Sequence, residues 1–159
     1  MLQKVARKKI GAAGGRFVIV ASTYNARYVN AMLRAAKSEI LRAGGALRIV
    51  RVPGAFEIPV VAARLARPAA GRSQPSAIIC LGVILRGATT HAQHIGETVS
   101  AALAQIQVEL GVPVIHEVLL LENETQARER CLGRTHNRGA EAAQTAMTMA
   151  RVMRKLAAV

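Results

Sequence analysis

Apolar residues follow two rhythms along this chain. Phe17–Ser22 (FVIVAS), Ala46–Val52 (ALRIVRV), Ala77–Leu85 (AIICLGVIL) and Val112–Leu121 (VPVIHEVLLL) are runs of strand length, largely apolar and rich in β-branched residues. Between them the spacing becomes helical. Met32, Ala35, Ala36 and Ile40 mark one face of a helix over about Val29–Ala43, which Gly44 and Gly45 end as a C-cap should. Pro53 and Gly54 close the second strand, and Ala55–Ala66 reads as a helix in which Pro59 falls in the first turn, where no intrahelical N–H is required. His91–Leu110 is a long third helix, and Glu124–Leu132 and Ala140–Leu156 are two more.

The predicted order is βαβαβαβαα, with strands apolar on both faces rather than alternating. That is the pattern of a parallel sheet covered by helices on both sides. Right-handed crossovers leave few topologies, and a flavodoxin-like three-layer αβα sandwich around a four-stranded parallel sheet fits best. In such sheets ligands bind beyond the carboxyl ends of the strands, so the informative loops are those that leave each strand.

Those loops carry unusual residues. Tyr24 and Asn25 follow the first strand, where the ring would either stack on a planar ligand or pack over the sheet edge. Ala55, Phe56 and Glu57 open a helix, which suits either a ligand's hydroxyls and carbonyls or ordinary capping. In "RGATTHAQHI", Gly87, Ala88 and Thr89 put small side chains and free N–H groups at a helix mouth. This reads as an anion site or as threonine N-caps. His91, His94 and Glu97 sit at i, i+3 and i+6, which admits a metal site; His91 alone beside an anion site would serve as a proton-transfer group, with His94 on the helix surface. Arg130 and Arg138 flank the turn between the last two helices, suited to phosphate or to solvent.

Composition narrows the chemistry. At 159 residues with 52% hydrophobic content, the chain fits one domain with a mainly aliphatic core, since aromatics make up only 3%. Every acid is Glu, which excludes a Ser-His-Asp triad and an EF-hand loop; neither GxxxxGK[ST] nor GxGxxG occurs. Cys80 and Cys131 fit neither a disulfide framework nor a zinc pattern, so buried reduced thiols are expected. The N-terminus has no apolar run of signal-peptide length and no later segment is apolar for long enough to span a membrane, predicting a soluble, cytoplasmic protein with no membrane partner. The net charge of +13 predicts attraction to phosphates or polyanions, although no nucleic-acid-binding motif is present. Residues 1–16 read as a basic N-terminal arm ahead of a domain over 17–159.

Taken together, "VPGAFEIP", "GVILRGATTH" and "NRG", in this order after an early "TYN", resemble the lumazine synthase family over about Phe17–Leu156. The resemblance implies a transferase of riboflavin biosynthesis. It would condense 5-amino-6-(D-ribitylamino)uracil with 3,4-dihydroxy-2-butanone 4-phosphate to 6,7-dimethyl-8-ribityllumazine, releasing phosphate and water, with no cofactor and no metal. It also implies residue roles. Tyr24 would stack on the pyrimidine with Asn25 beside it, and Ala55, Phe56 and Glu57 would hold the ribityl chain. Ile84 and Leu85 would line the ring pocket, Ala88 and Thr89 would cradle phosphate, and His91 would transfer protons. Arg130 would bind phosphate from a neighbouring subunit. Two positions depart from the pattern: His116 stands where a Phe is usual, and Arg138 where a Lys is usual. The family forms pentamers, decamers and sixty-subunit icosahedral shells. The uninterrupted "GRTHN" turn points to the shell, whose lumen would receive anionic cargo or riboflavin synthase.

Overall fold

The computed structural model describes residues 14–159. Residues 1–13, most of the expected basic arm, lie outside the described residues. The elements are β1 (Arg16–Ser22), α1 (Ala26–Arg42), β2 (Ala46–Val52), a 3₁₀ turn (Ala55–Glu57) leading into α2 (Ile58–Ala66), β3 (Ala77–Leu85), α3 (His91–Leu110), β4 (Val114–Leu121), α4 (Glu124–Cys131) and α5 (Arg138–Ala157). Among the described residues the strands form one parallel sheet in the order β2-β1-β3-β4. This is the expected flavodoxin-like arrangement, in which strand order reverses between β1 and β3.

Alternate side chains of the buried strands feed two cores, as the strand period of two requires. On one face Phe17, Ile19, Ile79 and Leu81 pack with Val29, Met32 and Ile40 of α1 and with Ala143 and Met147 of α5. On the other, Val18, Val20, Ile78 and Cys80 pack with Ile58 and Leu65 of α2 and with Val99 and Leu103 of α3. Helices α1 and α5 approach so closely that a Cβ on Gly139 would stand 2.0 Å from the Met32 carbonyl oxygen. Among these residues, only glycine fits there.

Three local features differ from the sequence reading. The expected helix over 55–66 is divided, because Pro59 can occupy only the first turn of an α-helix; the α-helix proper therefore starts at Ile58, and Ala55–Glu57 coil as 3₁₀. Helix α1 starts earlier, at Ala26, because Asn25 takes a left-handed conformation (φ 54°) that turns the chain directly from the strand into the helix. The expectation of strands apolar on both faces fails at β2. It lies at the sheet edge, where Arg48, Ile49 and Arg51 are exposed and only Val52 is buried. Arginines on an unpaired edge discourage pairing with another strand.

Both cysteines are buried free thiols. Burial pushes Cys131 up to about 12, with the Glu117 charge adding to the effect, and raises Cys80 as well. Among the described residues no helix is long and apolar enough to cross a membrane.

Candidate active site

Where strand order reverses between β1 and β3, the loops leaving the strands open a cavity of about 800 Å³. Main-chain bonds hold its mouth. Tyr24 N–H donates to the Pro53 carbonyl (3.0 Å), Thr23 N–H to the Val52 carbonyl (2.8 Å), and the Thr23 hydroxyl also reaches the Pro53 carbonyl (3.0 Å). The loop after β1 is thereby fixed to the loop after β2. Across the crevice, the Asn25 side-chain amide donates to the Val83 carbonyl of β3 at 2.7 Å.

One wall is aromatic. Tyr24 is 73% exposed and Phe56 57%, and both line the cavity. Large rings left that open at a concave site are available to a ligand or to a neighbouring copy. Glu57 folds back across the mouth, its Oε2 lying 2.8 Å from where a Cβ on Gly54 would stand. Gly54 thus makes room for the carboxylate. Ile84 and Leu85 supply the floor from the end of β3.

The opposite wall is the amino end of α3, with Gly87, Thr89, His91, His94, Ile95 and Thr98. Thr90 occupies the N-cap position without making a side-chain cap, and the nearest hydroxyl contact is a long one, His91 N–H to Thr89 Oγ1 at 3.4 Å. The first-turn N–H groups of a twenty-residue helix therefore remain available to an anion. His91 stands beside them with its imidazole exposed.

The residues singled out in the sequence divide into two groups. Tyr24, Asn25, Ala55, Phe56, Glu57, Ile84, Leu85, Thr89 and His91 line one cavity. Ala88 lies between two of its loop residues without lining it. His116, Arg130 and Arg138 are elsewhere on the chain. His116 is exposed on the edge strand β4, its Nε2 2.7 Å from Ser100 Oγ on α3. Arg130 is half-buried in the last turn of α4.

Arg138 opens α5 and is held by two carboxylates. Its Nε and Nη2 donate to Glu117 Oε2 and Oε1 at 3.0 and 2.6 Å, and its Nη1 donates to Glu141 Oε2 at 2.7 Å. Burial pushes the Glu117 carboxyl up to about 7, against the attraction of Arg138 and Arg130. Burial also opposes the charge on Arg138, but Glu117 and Glu141 outweigh it and hold the guanidinium above its ordinary value. His116 and Glu117 are adjacent on β4, so they project to opposite faces of the sheet.

Sequence reasoning missed some members of the site. His94 is exposed on the helix surface as expected but also lines the cavity with His91, and Thr98 extends the same stripe at helical spacing. Glu97, grouped with the two histidines by spacing alone, accepts a hydrogen bond from Gln93 (2.8 Å) and lines a different cleft between α3 and β4. The i, i+3, i+6 drift around the helix separates it from them.

A parallel α/β domain with an aromatic-walled crevice at its switch point and a helix terminus that begins at a histidine has the layout of an α/β enzyme whose loops gather at one ligand crevice. Similarity to known proteins narrows the class. The sequence profile of the 6,7-dimethyl-8-ribityllumazine synthase family matches residues 14–154. The 6,7-dimethyl-8-ribityllumazine synthase of Xylella fastidiosa (strain M12) is 42% identical over 147 residues, covering 91% of this chain and 93% of the relative. Those of Xanthomonas campestris pv. campestris (strain B100) and Stenotrophomonas maltophilia (strain R551-3) are 38% and 36% identical over 144 residues, each covering 89% of this chain and 91% and 90% of the relatives. The chain belongs to the 6,7-dimethyl-8-ribityllumazine synthase family.

Proposed function

We propose that the crevice between β1 and β3 is where 5-amino-6-(D-ribitylamino)uracil condenses with 3,4-dihydroxy-2-butanone 4-phosphate to give 6,7-dimethyl-8-ribityllumazine, phosphate and water. The observation that carries this reading is the convergence in one cavity of exposed Tyr24 and Phe56, the Glu57 carboxylate, and an uncapped helix terminus beside His91.

Tyr24 offers its ring face to the uracil, while the Ile84 and Leu85 main chain meets the ring's polar edge. The 55–57 turn receives the ribityl chain, with Glu57 accepting from its hydroxyls. The phosphate lies on the first-turn N–H groups of α3 and on Thr89, with Ala88 giving the loop its close approach. An amine must add to the ketone, phosphate must leave, and a second amine must close the ring, so several protons move. His91 is placed to give and take them. Holding both substrates in one crevice supplies much of the remaining acceleration. The step needs no metal and no organic cofactor.

Among the described residues lining the cavity there is no Arg or Lys, although a phosphate dianion would be bound there. This supports a site shared between copies, in which a neighbour's Arg130 clamps the phosphate and its His116 and Arg138 close the ring pocket. A pentamer satisfies such a ring of shared sites, and twelve pentamers make the sixty-subunit shell expected from the uninterrupted Gly133–Asn137 turn. The net charge of +13 per chain supports a lumen that attracts anionic cargo, with riboflavin synthase as a further occupant, and the enzyme works in the cytoplasm.

The deciding experiment mixes the protein with both substrates and follows lumazine absorbance and fluorescence. Acceleration over the uncatalysed condensation is expected, and its absence overturns the reading. Mass measurement in solution tests the assembly, with a species of five or sixty chains expected.

A further inference from the structure

Ser100, on the outward side of α3, has two short contacts and one hydrogen to share between them. Its Oγ lies 2.7 Å from the Gly96 carbonyl oxygen and 2.7 Å from His116 Nε2. A carbonyl can only accept, so the hydroxyl proton belongs to the Gly96 bond. The second contact is then a hydrogen bond only when His116 Nε2 carries the proton and Ser100 Oγ accepts it. In the neutral imidazole this leaves Nδ1 unprotonated, an acceptor. Among the described residues Nδ1 has no partner. The anchor also acts at the far tip of the ring, so one bond restrains the rotation of an otherwise exposed side chain on an edge strand.

We propose that Ser100 is a positioning residue that clamps His116 as the Nε2–H tautomer in one orientation and leaves Nδ1 to accept an N–H of the uracil seated in the neighbouring copy's crevice. This rests on the reading of His116 as a wall shared between copies. A diaminouracil is rich in N–H donors. A phenyl ring at this position accepts nothing, whereas an imidazole that meets the uracil edge-on, through the lone pair in its own plane, offers one directional contact that depends on which ring nitrogen is bare.

The test combines spectroscopy with a double-mutant cycle. Magic-angle-spinning NMR of sedimented protein labelled with ¹⁵N-histidine, above the pH at which histidines are charged, reads the tautomer. His116→Phe identifies the His116 signals by their loss. Wild type is expected to show Nε2–H alone, and Ser100→Ala a mixture. Alanine is the better helix former, so folding is not at risk. Ser100→Ala should raise KM for the ribitylaminouracil by about fivefold to tenfold, the worth of one hydrogen bond held in place, with kcat and the KM for the phosphate substrate within about twofold. Ser100→Thr should restore both tautomer and KM, and Ser100→Ala should add nothing in the His116→Phe background.

An unchanged tautomer in Ser100→Ala, or an undiminished KM effect when His116 is already Phe, overturns the positioning role while leaving the shared wall intact. A His116→Phe variant with wild-type KM overturns the Nδ1 contact, and the positioning role with it, while a wild-type KM in His116→Ala overturns the shared wall itself.

Discussion

The guanidinium of Arg138 meets the carboxylate of Glu117 through two parallel hydrogen bonds, 3.0 and 2.6 Å long, across the junction of α5 and β4. Glu117 is largely buried, and burial leaves its carboxyl titrating at about 7 rather than the ordinary 4.5. A group whose native value is raised binds a proton on folding. Its stabilising contribution is therefore complete below the ordinary carboxylate value and is lost as pH rises toward about 7. Wild type should lose up to about 3 kcal/mol between these limits relative to Glu117→Gln, which has no proton to release. Denaturant midpoints of the two proteins at matched concentration across that range check the slope; parallel curves would exclude Glu117 as its source.

His91→Ala should lower kcat by about a hundredfold, because it removes the group placed to move protons beside the anion site. Binding of the ribitylaminouracil, which the tyrosine wall governs, should change little. Steady-state kinetics with each substrate varied in turn separate the two effects. A rise in KM for the uracil with kcat preserved would place His91 in binding instead.

If the phosphate clamp comes from another copy, two impaired chains can repair each other when the phosphate substrate is well below the raised KM. Arg130→Ala should raise KM for the phosphate substrate about a hundredfold by removing a charge-assisted hydrogen bond. Co-assembled from equal amounts of His91→Ala and Arg130→Ala chains, the protein should recover activity at about a quarter of its crevices, those that draw His91 from one chain and Arg130 from the other. Activity equal to the sum of the two variants alone would mean that each chain completes its own site.

Gly139→Ala tests the packing that sets α5 against the sheet. The added methyl group would meet the Met32 main chain at 2.0 Å, and backbone on both sides leaves little room for relief. A loss of about 3 kcal/mol is expected, seen as a lower thermal midpoint, together with weakened activity as α5 carries Arg138 away from Glu117.

Much of this molecule was legible from hydrophobic spacing because β1 and β3 are central strands, buried on both faces, and such strands announce themselves in composition. Edge strand β2 did not, because a few branched residues read alike whether one face or both are covered. The crevice was legible as a set of loops, since a parallel sheet sends every strand-to-helix connection to one end. Its membership was less so. His94 and Glu97 are both polar and three residues apart on α3, and only the rotation of the helix against β3 and β4 decides which one faces the cavity. The partners of Arg138 were also hidden, because Glu117 is distant in sequence and lies in a strand whose one other polar residue is His116.

The loops around the crevice are moored to one another. Tyr24 and Thr23 hold the loop after β2, and Asn25 holds the end of β3. The distance between the two sides is therefore set by the chain's own hydrogen bonds, and a ligand arriving there would spend no affinity on gathering them. A single asparagine side chain, tied to the Val83 carbonyl, thus carries the spacing between the loop after β1 and β3.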